Sequence, residues 1–87
     1  SGKLHVEIVK TYEFYALKLK QLYEKALKGN LGGWKNRLDI GDITLFGRYG
    51  WQIVQEAPEE YRPKLKKLYN KYLTMLFKKL LSQQSQT

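Results

Sequence analysis

The sequence predicts an all-α fold, a small three-helix bundle with two long helices, a shorter middle helix and a Gly-rich connecting loop. Three observations carry that prediction. Apolar residues recur at helical spacing over Ile8 to Leu27 and again beyond Lys64. Four glycines fall between those segments, within residues 29–42 (GNLGGWKNRLDIGD). The 87 residues suffice for one domain, and a content of 43% hydrophobic residues is too apolar for a disordered chain despite a net charge of +8.

The first helix rests on apolar residues at positions 8, 12, 15, 19, 22 and 26, with Val9, Ala16, Tyr23 and Leu27 widening the same face. Gly29-Asn30 supplies its stop, and Lys25 and Lys28 suit the negative end of the helix dipole. Its start is open between two readings, because Leu4-His5-Val6-Glu7-Ile8 alternates like a short strand. The opening Ser1-Gly2, without Met, reads as a cloning remnant or a cut domain edge, so residues 1–3 are set aside.

The middle segment also has two readings. Leu38 to Ile40 and Ile43 to Leu45 flank Gly41-Asp42, a plausible two-residue hairpin turn. The preferred alternative makes Asp42 the N-cap of a helix from Ile43 to Ala57, with Phe46, Tyr49, Gly50 and Ile53 turned inward. Gly47 and Gly50 each weaken that helix by about 1 kcal/mol relative to Ala, and such a pair lets another backbone come close.

The third segment starts near Pro58, where Glu59 and Glu60 suit a helix N-terminus. Pro63 leaves two possibilities, a short turn at 58–62 followed by a helix, or one helix kinked at the proline. Helical spacing continues to about Leu81, and residues 82–87 (SQQSQT) are expected to fray.

Charge is distributed unevenly. Residues 1–30 balance at +3, residues 31–60 at −2, and residues 61–87 at +7 with no acid at all. At 100° per residue, the apolar positions of the last helix, from Met75 through Leu65 to Phe77, cover an arc of roughly 200°. A helix packed on one side needs little more than ~100°, so cover from two sides is expected. The remaining arc carries Lys64, Lys67, Lys71, Thr74 and Lys78, a continuous cationic stripe. The first helix places Lys10, Phe14, Lys18, Gln21, Lys25 and Lys28 on its outer side. Cations with an interleaved aromatic ring are what phosphates and bases call for. If the first and third helices pack antiparallel, their basic faces flank one groove.

Other constellations are weaker. Gly47-Arg48-Tyr49-Gly50 matches the G-x-x-G pattern by which KH domains hold a nucleic-acid backbone, but that fold needs a sheet this chain does not supply. Trp34-Lys35-Asn36-Arg37 puts cations on the loop, where Lys35 and Arg37, with Arg48, are secondary phosphate candidates. Trp34 itself is better read as plugging the end of the core. Catalysis has little to work with. His5 is the sole His, every Ser is terminal, there is no Cys, and Asp39 and Asp42 lack a third metal ligand. No enzyme activity, cofactor or metal is expected.

No apolar run approaches the ~20 residues of a membrane span, and no signal peptide is visible, so an intracellular protein, cytoplasmic or nucleoid-associated, is expected. The expected function is nucleic-acid binding through phosphates with little sequence preference, as an accessory subunit of a nucleoprotein complex. Lys outnumbers Arg 13 to 3, which argues against base reading by bidentate Arg. The alternative is a non-enzymatic protein–protein interaction module that docks its wide apolar helix face on a larger partner, its lysines meeting an acidic surface, or that pairs as a homodimer.

Overall fold

A computed structural model describes residues 11–32 and 37–85. They form α1 (Tyr12–Leu27), α2 (Ile40–Glu56), a 3₁₀ turn (Glu59–Tyr61) and α3 (Arg62–Ser85), with no strand among them. The all-α three-helix bundle is therefore the fold. The first and third helices run the same way and the middle one runs against them. Ring contacts show this directly. Tyr12 of α1 meets Tyr61 at 6.1 Å, and Tyr23, later in α1, meets Tyr72, later in α3, at 4.6 Å. In α2 the order reverses: Trp51 meets Tyr69 and the earlier Phe46 meets the later Tyr72. The antiparallel packing of α1 and α3 that a shared basic groove would require is thus not met, because the two helices run parallel.

α1 ends as its glycine requires. Gly29 has φ 76°, its N–H donates to the Ala26 carbonyl, and Asn30 N–H donates to Lys25, the two bonds of a Schellman motif. A Cβ at Gly29 would collide with the Arg37 backbone, so loop packing as well as φ excludes a side chain there.

α2 begins three residues before the expected Ile43, and Asp39, not Asp42, is its N-cap. The Asp39 carboxylate accepts the Asp42 N–H at 3.1 Å, and the Asp42 carboxylate returns a bond from Asp39 N–H at 2.9 Å. Asp42 is fully buried, and its other oxygen accepts Leu31 N–H at 3.1 Å and Gly32 N–H at 2.6 Å. One carboxylate therefore ties the connecting loop to the positive end of α2. Residues 40–46 are helical, which removes the hairpin alternative.

Pro63 falls in the first turn of α3, where an N–H would have no intrahelical partner, so the short turn precedes the helix and no kink is needed. Arg62 donates to the Ala57 and Gln55 carbonyls and so satisfies the end of α2. α3 continues past the expected Leu81 to Ser85, and Gln83 donates its side-chain N–H to the Leu38 carbonyl at 2.8 Å, anchoring the last turns to the α1–α2 loop.

The core unites Tyr15, Leu19 and Ala26 of α1 with Ile43, Phe46 and Val54 of α2 and Leu65 and Leu76 of α3. Gly47 and Gly50 do admit a close neighbour, but it is the ring of Tyr69 and not a backbone. A Cβ on Gly50 would lie 3.0 Å from two Tyr69 ring atoms, while the Tyr69 hydroxyl donates to the Gly47 carbonyl at 2.8 Å. The ring also stacks on Phe46 at 5.8 Å.

Candidate functional site

Burial of Leu65 and Leu76 fixes the phase of α3 and turns Lys64, Lys67, Lys71 and Lys78 outward, all exposed. They climb about 21 Å of helix at the usual rise per residue, and no acid occurs from residue 61 onward. Lys64 holds its ammonium 5.7 Å from the Tyr12 ring, so this end of the stripe touches α1. Lys67, Lys71 and Lys78 meet no acid among the described residues.

The apolar arc of α3 is covered from two sides in its middle and open at its margins. α1 reaches it at Tyr72 and α2 at Tyr69. Met75, Phe77 and Leu81 stay exposed. Phe77, 45% exposed, ends the apolar arc on the α2 side next to Lys66, and there Trp51 of α2, 41% exposed, lies beneath the Lys66 ammonium at 5.5 Å. In the sequence Phe77 reads as the end of a buried arc, and Trp51 is not singled out at all. The excess width of that arc was the available signal for the first. Nothing local distinguishes the second.

The lysines of α1 lie elsewhere. Lys18 and Lys25, with Gln21 and Leu22, face Tyr49, Gln52, Ile53 and Glu56 across a groove of about 370 Å³ between α1 and α2. Phe14 is half-buried. It leans edge-on against Tyr15 at 5.1 Å, and Lys18 sits over its ring at 5.2 Å. Lys28 is exposed at the C-cap of α1. The α1–α3 seam carries a different groove, about 500 Å³, lined by Tyr12, Glu13, Ala16, Leu17, Lys20, Leu68 and Tyr72. The basic faces of α1 and α3 therefore do not flank one groove, because the seam between those helices is mainly apolar and Lys18 and Lys25 open toward α2.

Of the secondary candidates, Arg37 is exposed on the loop and Arg48 on α2. Lys10, Lys35 and Trp34 lie outside the described residues. Gly47-Arg48-Tyr49-Gly50 is an interior stretch of α2 with Gly50 buried, so it forms no exposed backbone-gripping loop. Among the described residues no group of three His, Cys, Asp or Glu side chains could hold a metal ion, and no helix is long and apolar enough to cross a membrane. Burial raises the phenol pKa of Tyr69, and burial with lesser contributions from Tyr23, Glu24 and Tyr12 raises that of Tyr72. Both belong to the packed side of α3, away from the row Lys64, Lys67, Lys71 and Lys78. The outer face of α3 is thus a linear array of cations, and exposed rings lie on its flank toward α2. No family model matches the chain, and no curated protein or solved structure matches it.

Proposed function

We propose that the protein binds nucleic acid through phosphate contacts along the outer face of α3, with little sequence preference, as an accessory subunit of an intracellular nucleoprotein complex. The observation that carries this reading is the exposed, acid-free row Lys64, Lys67, Lys71 and Lys78 on one helix. Ammonium groups are point charges that neutralise phosphates without reading base edges, which suits a site built from lysine. Four such contacts give a log affinity that falls with log salt at a slope of about −3.6 on duplex or about −2.8 on a single strand. Fluorescence anisotropy of labelled DNA and RNA across a salt series tests this. Replacing Lys67, Lys71 and Lys78 together with Gln should weaken binding on every sequence alike and flatten the slope. A wild-type slope near zero would refute the reading.

A second reading is favoured by the α1–α3 groove, an apolar floor of Tyr12, Ala16, Leu68 and Tyr72 with Leu17 53% exposed at its rim. It suits an apolar segment of another protein, and it leaves the lysine row uncovered, so one molecule can serve both roles. Solution mass separates the cases. A dimer supports docking through an apolar face, and a monomer with a single sharp thermal transition counts against it.

A further inference from the structure

We propose that the nucleic acid taken by this face is single-stranded, its backbone tracked by the α3 lysines and two of its bases stacked on Phe77 and Trp51. The inference rests on the phosphate-binding reading and narrows it to one strand type.

Placement comes first. At 100° per residue, the outward positions of α3 follow one another as Lys66, Phe77, Asn70, Leu81, Thr74, Lys67, Lys78, Lys71 and Lys64. Phe77 therefore stands next to Lys66 and about 80° around the helix from Lys67, the nearest member of the lysine row, with Asn70, Leu81 and Thr74 between them. Trp51 reaches the same margin from α2, level with Lys66 and Tyr69. Phe77 lies eight to eleven residues further along α3, about 12–16 Å at the usual rise. The two rings thus lie with Lys66 on the α2 flank of α3, and the four cations run in line along the neighbouring outer face.

The rings then decide between strand types. Phe77 is 45% exposed and makes no ring contact with any described residue, so a base can reach it. Trp51 is covered on one side by Lys66, whose ammonium can pass to a phosphate when a base takes its place over the indole. In a duplex the bases are stacked on each other and offer only their edges, which would leave both rings in water. A single strand presents base faces beside its phosphates and covers both at once. Any base can stack, consistent with a lysine-based site that reads no sequence. Self-association through this margin is opposed by charge, since it would bring together two molecules that each carry +8.

The test is anisotropy with a labelled single strand of about 20 nucleotides and the duplex of the same sequence, using the full chain, Phe77→Ala and Trp51→Ala. Circular dichroism melts establish that each variant folds. Phe77→Ala is the more secure of the two, because Trp51 also touches Tyr69. The expected result is single-strand binding about tenfold or more tighter than duplex binding. Each substitution should then lose about tenfold on the single strand, within the range of one base–aromatic stack, and little on the duplex. Equal or tighter duplex binding with a steep salt slope, or variants that bind single strands like the wild type, would overturn the inference and leave phosphate binding standing. Binding to neither at low salt would overturn both. A dimer that dissociates on Phe77→Ala would also overturn it, by assigning the ring to a protein contact.

Discussion

α2 and the outer face of α3 obey different constraints. In α2 most of the informative residues are fixed by contacts inside the molecule. Asp39 and Asp42 build its first turn, Asp42 also holds the loop, Gly47 and Gly50 seat Tyr69, and Ile43, Phe46 and Val54 fill the core. On the outer face of α3, Lys67, Lys71 and Lys78 touch nothing that the bundle needs. Helix formation alone would accept Glu there as readily as Lys, and alternating signs would even favour it. The difference teaches where to look for function. Residue choice in α2 is explained by folding, whereas a one-signed row on α3 calls for something outside the fold.

The contrast breaks most sharply at Asp42. Asp42→Ala should cost about 3–5 kcal/mol, since it takes a charged acceptor from the N–H groups of Leu31, Gly32 and Asp39 in a partly buried site. Urea denaturation reads that loss, and a change below about 1 kcal/mol would mean the loop is held by other contacts. The two glycines should move in opposite directions. Gly50→Ala pushes a methyl into a Tyr69 ring that is pinned by its hydrogen bond and by Phe46, so overpacking of about 1–3 kcal/mol outweighs the gain of about 1 kcal/mol in helix propensity. At Gly47 the added Cβ lies 3.6 Å from the Tyr69 hydroxyl, an ordinary contact, so Gly47→Ala should stabilise by up to about 1 kcal/mol. Like signs for the two would show that Tyr69 does not sit as described.

Alkaline pH probes the same seam. Folded Tyr69 and Tyr72 hold their phenol protons more tightly than the unfolded chain does, chiefly because of burial. Their contribution is therefore complete below the ordinary tyrosine pKa of about 10 and declines as pH rises above it. Thermal melts between about pH 9 and 11 should show the midpoint falling, and Tyr69→Phe and Tyr72→Phe should flatten the fall. The smallest effect on stability belongs to the other side of the comparison. Lys67, Lys71 and Lys78 changed together to Gln should leave the urea midpoint where it was while abolishing most of the salt-dependent binding. An unfolded triple variant would show that these side chains support the bundle after all.

Much of this fold was legible because its signals are local. Apolar spacing marks α1 and α3, Gly29 marks a stop, and Pro58 with Pro63 brackets a turn. The start of α2 was misplaced because Asp39 and Asp42 both have N-cap chemistry. What separates them is a pair of loop N–H groups ten and eleven residues upstream, which no window around Asp42 contains. The Gly47–Gly50 spacing announced a close neighbour without its identity, for Tyr69 comes from another helix. The candidate site divided along the same line. A helical wheel fixes the angle of Lys67 or Lys71 from the core, and these were placed correctly on the exposed side. It does not say which helix packs on which flank, so Lys18 and Lys25 were joined to α3 although they face α2. The direction of α1 relative to α3 was equally out of reach, because a twelve-residue connection between α1 and α2 fixes no direction by its length.

Tyr69 has one more consequence. Wedged over Gly50 and bonded to Gly47, it works as a key in a keyway and stops α3 from rolling about its own axis. A roll of one residue would swing the lysine row about 100° toward a neighbouring helix. Held in this azimuth, the row is preorganised. A partner that lands on it has only flexible lysine side chains to immobilise, and the helix that carries them gives up no orientational freedom in the encounter.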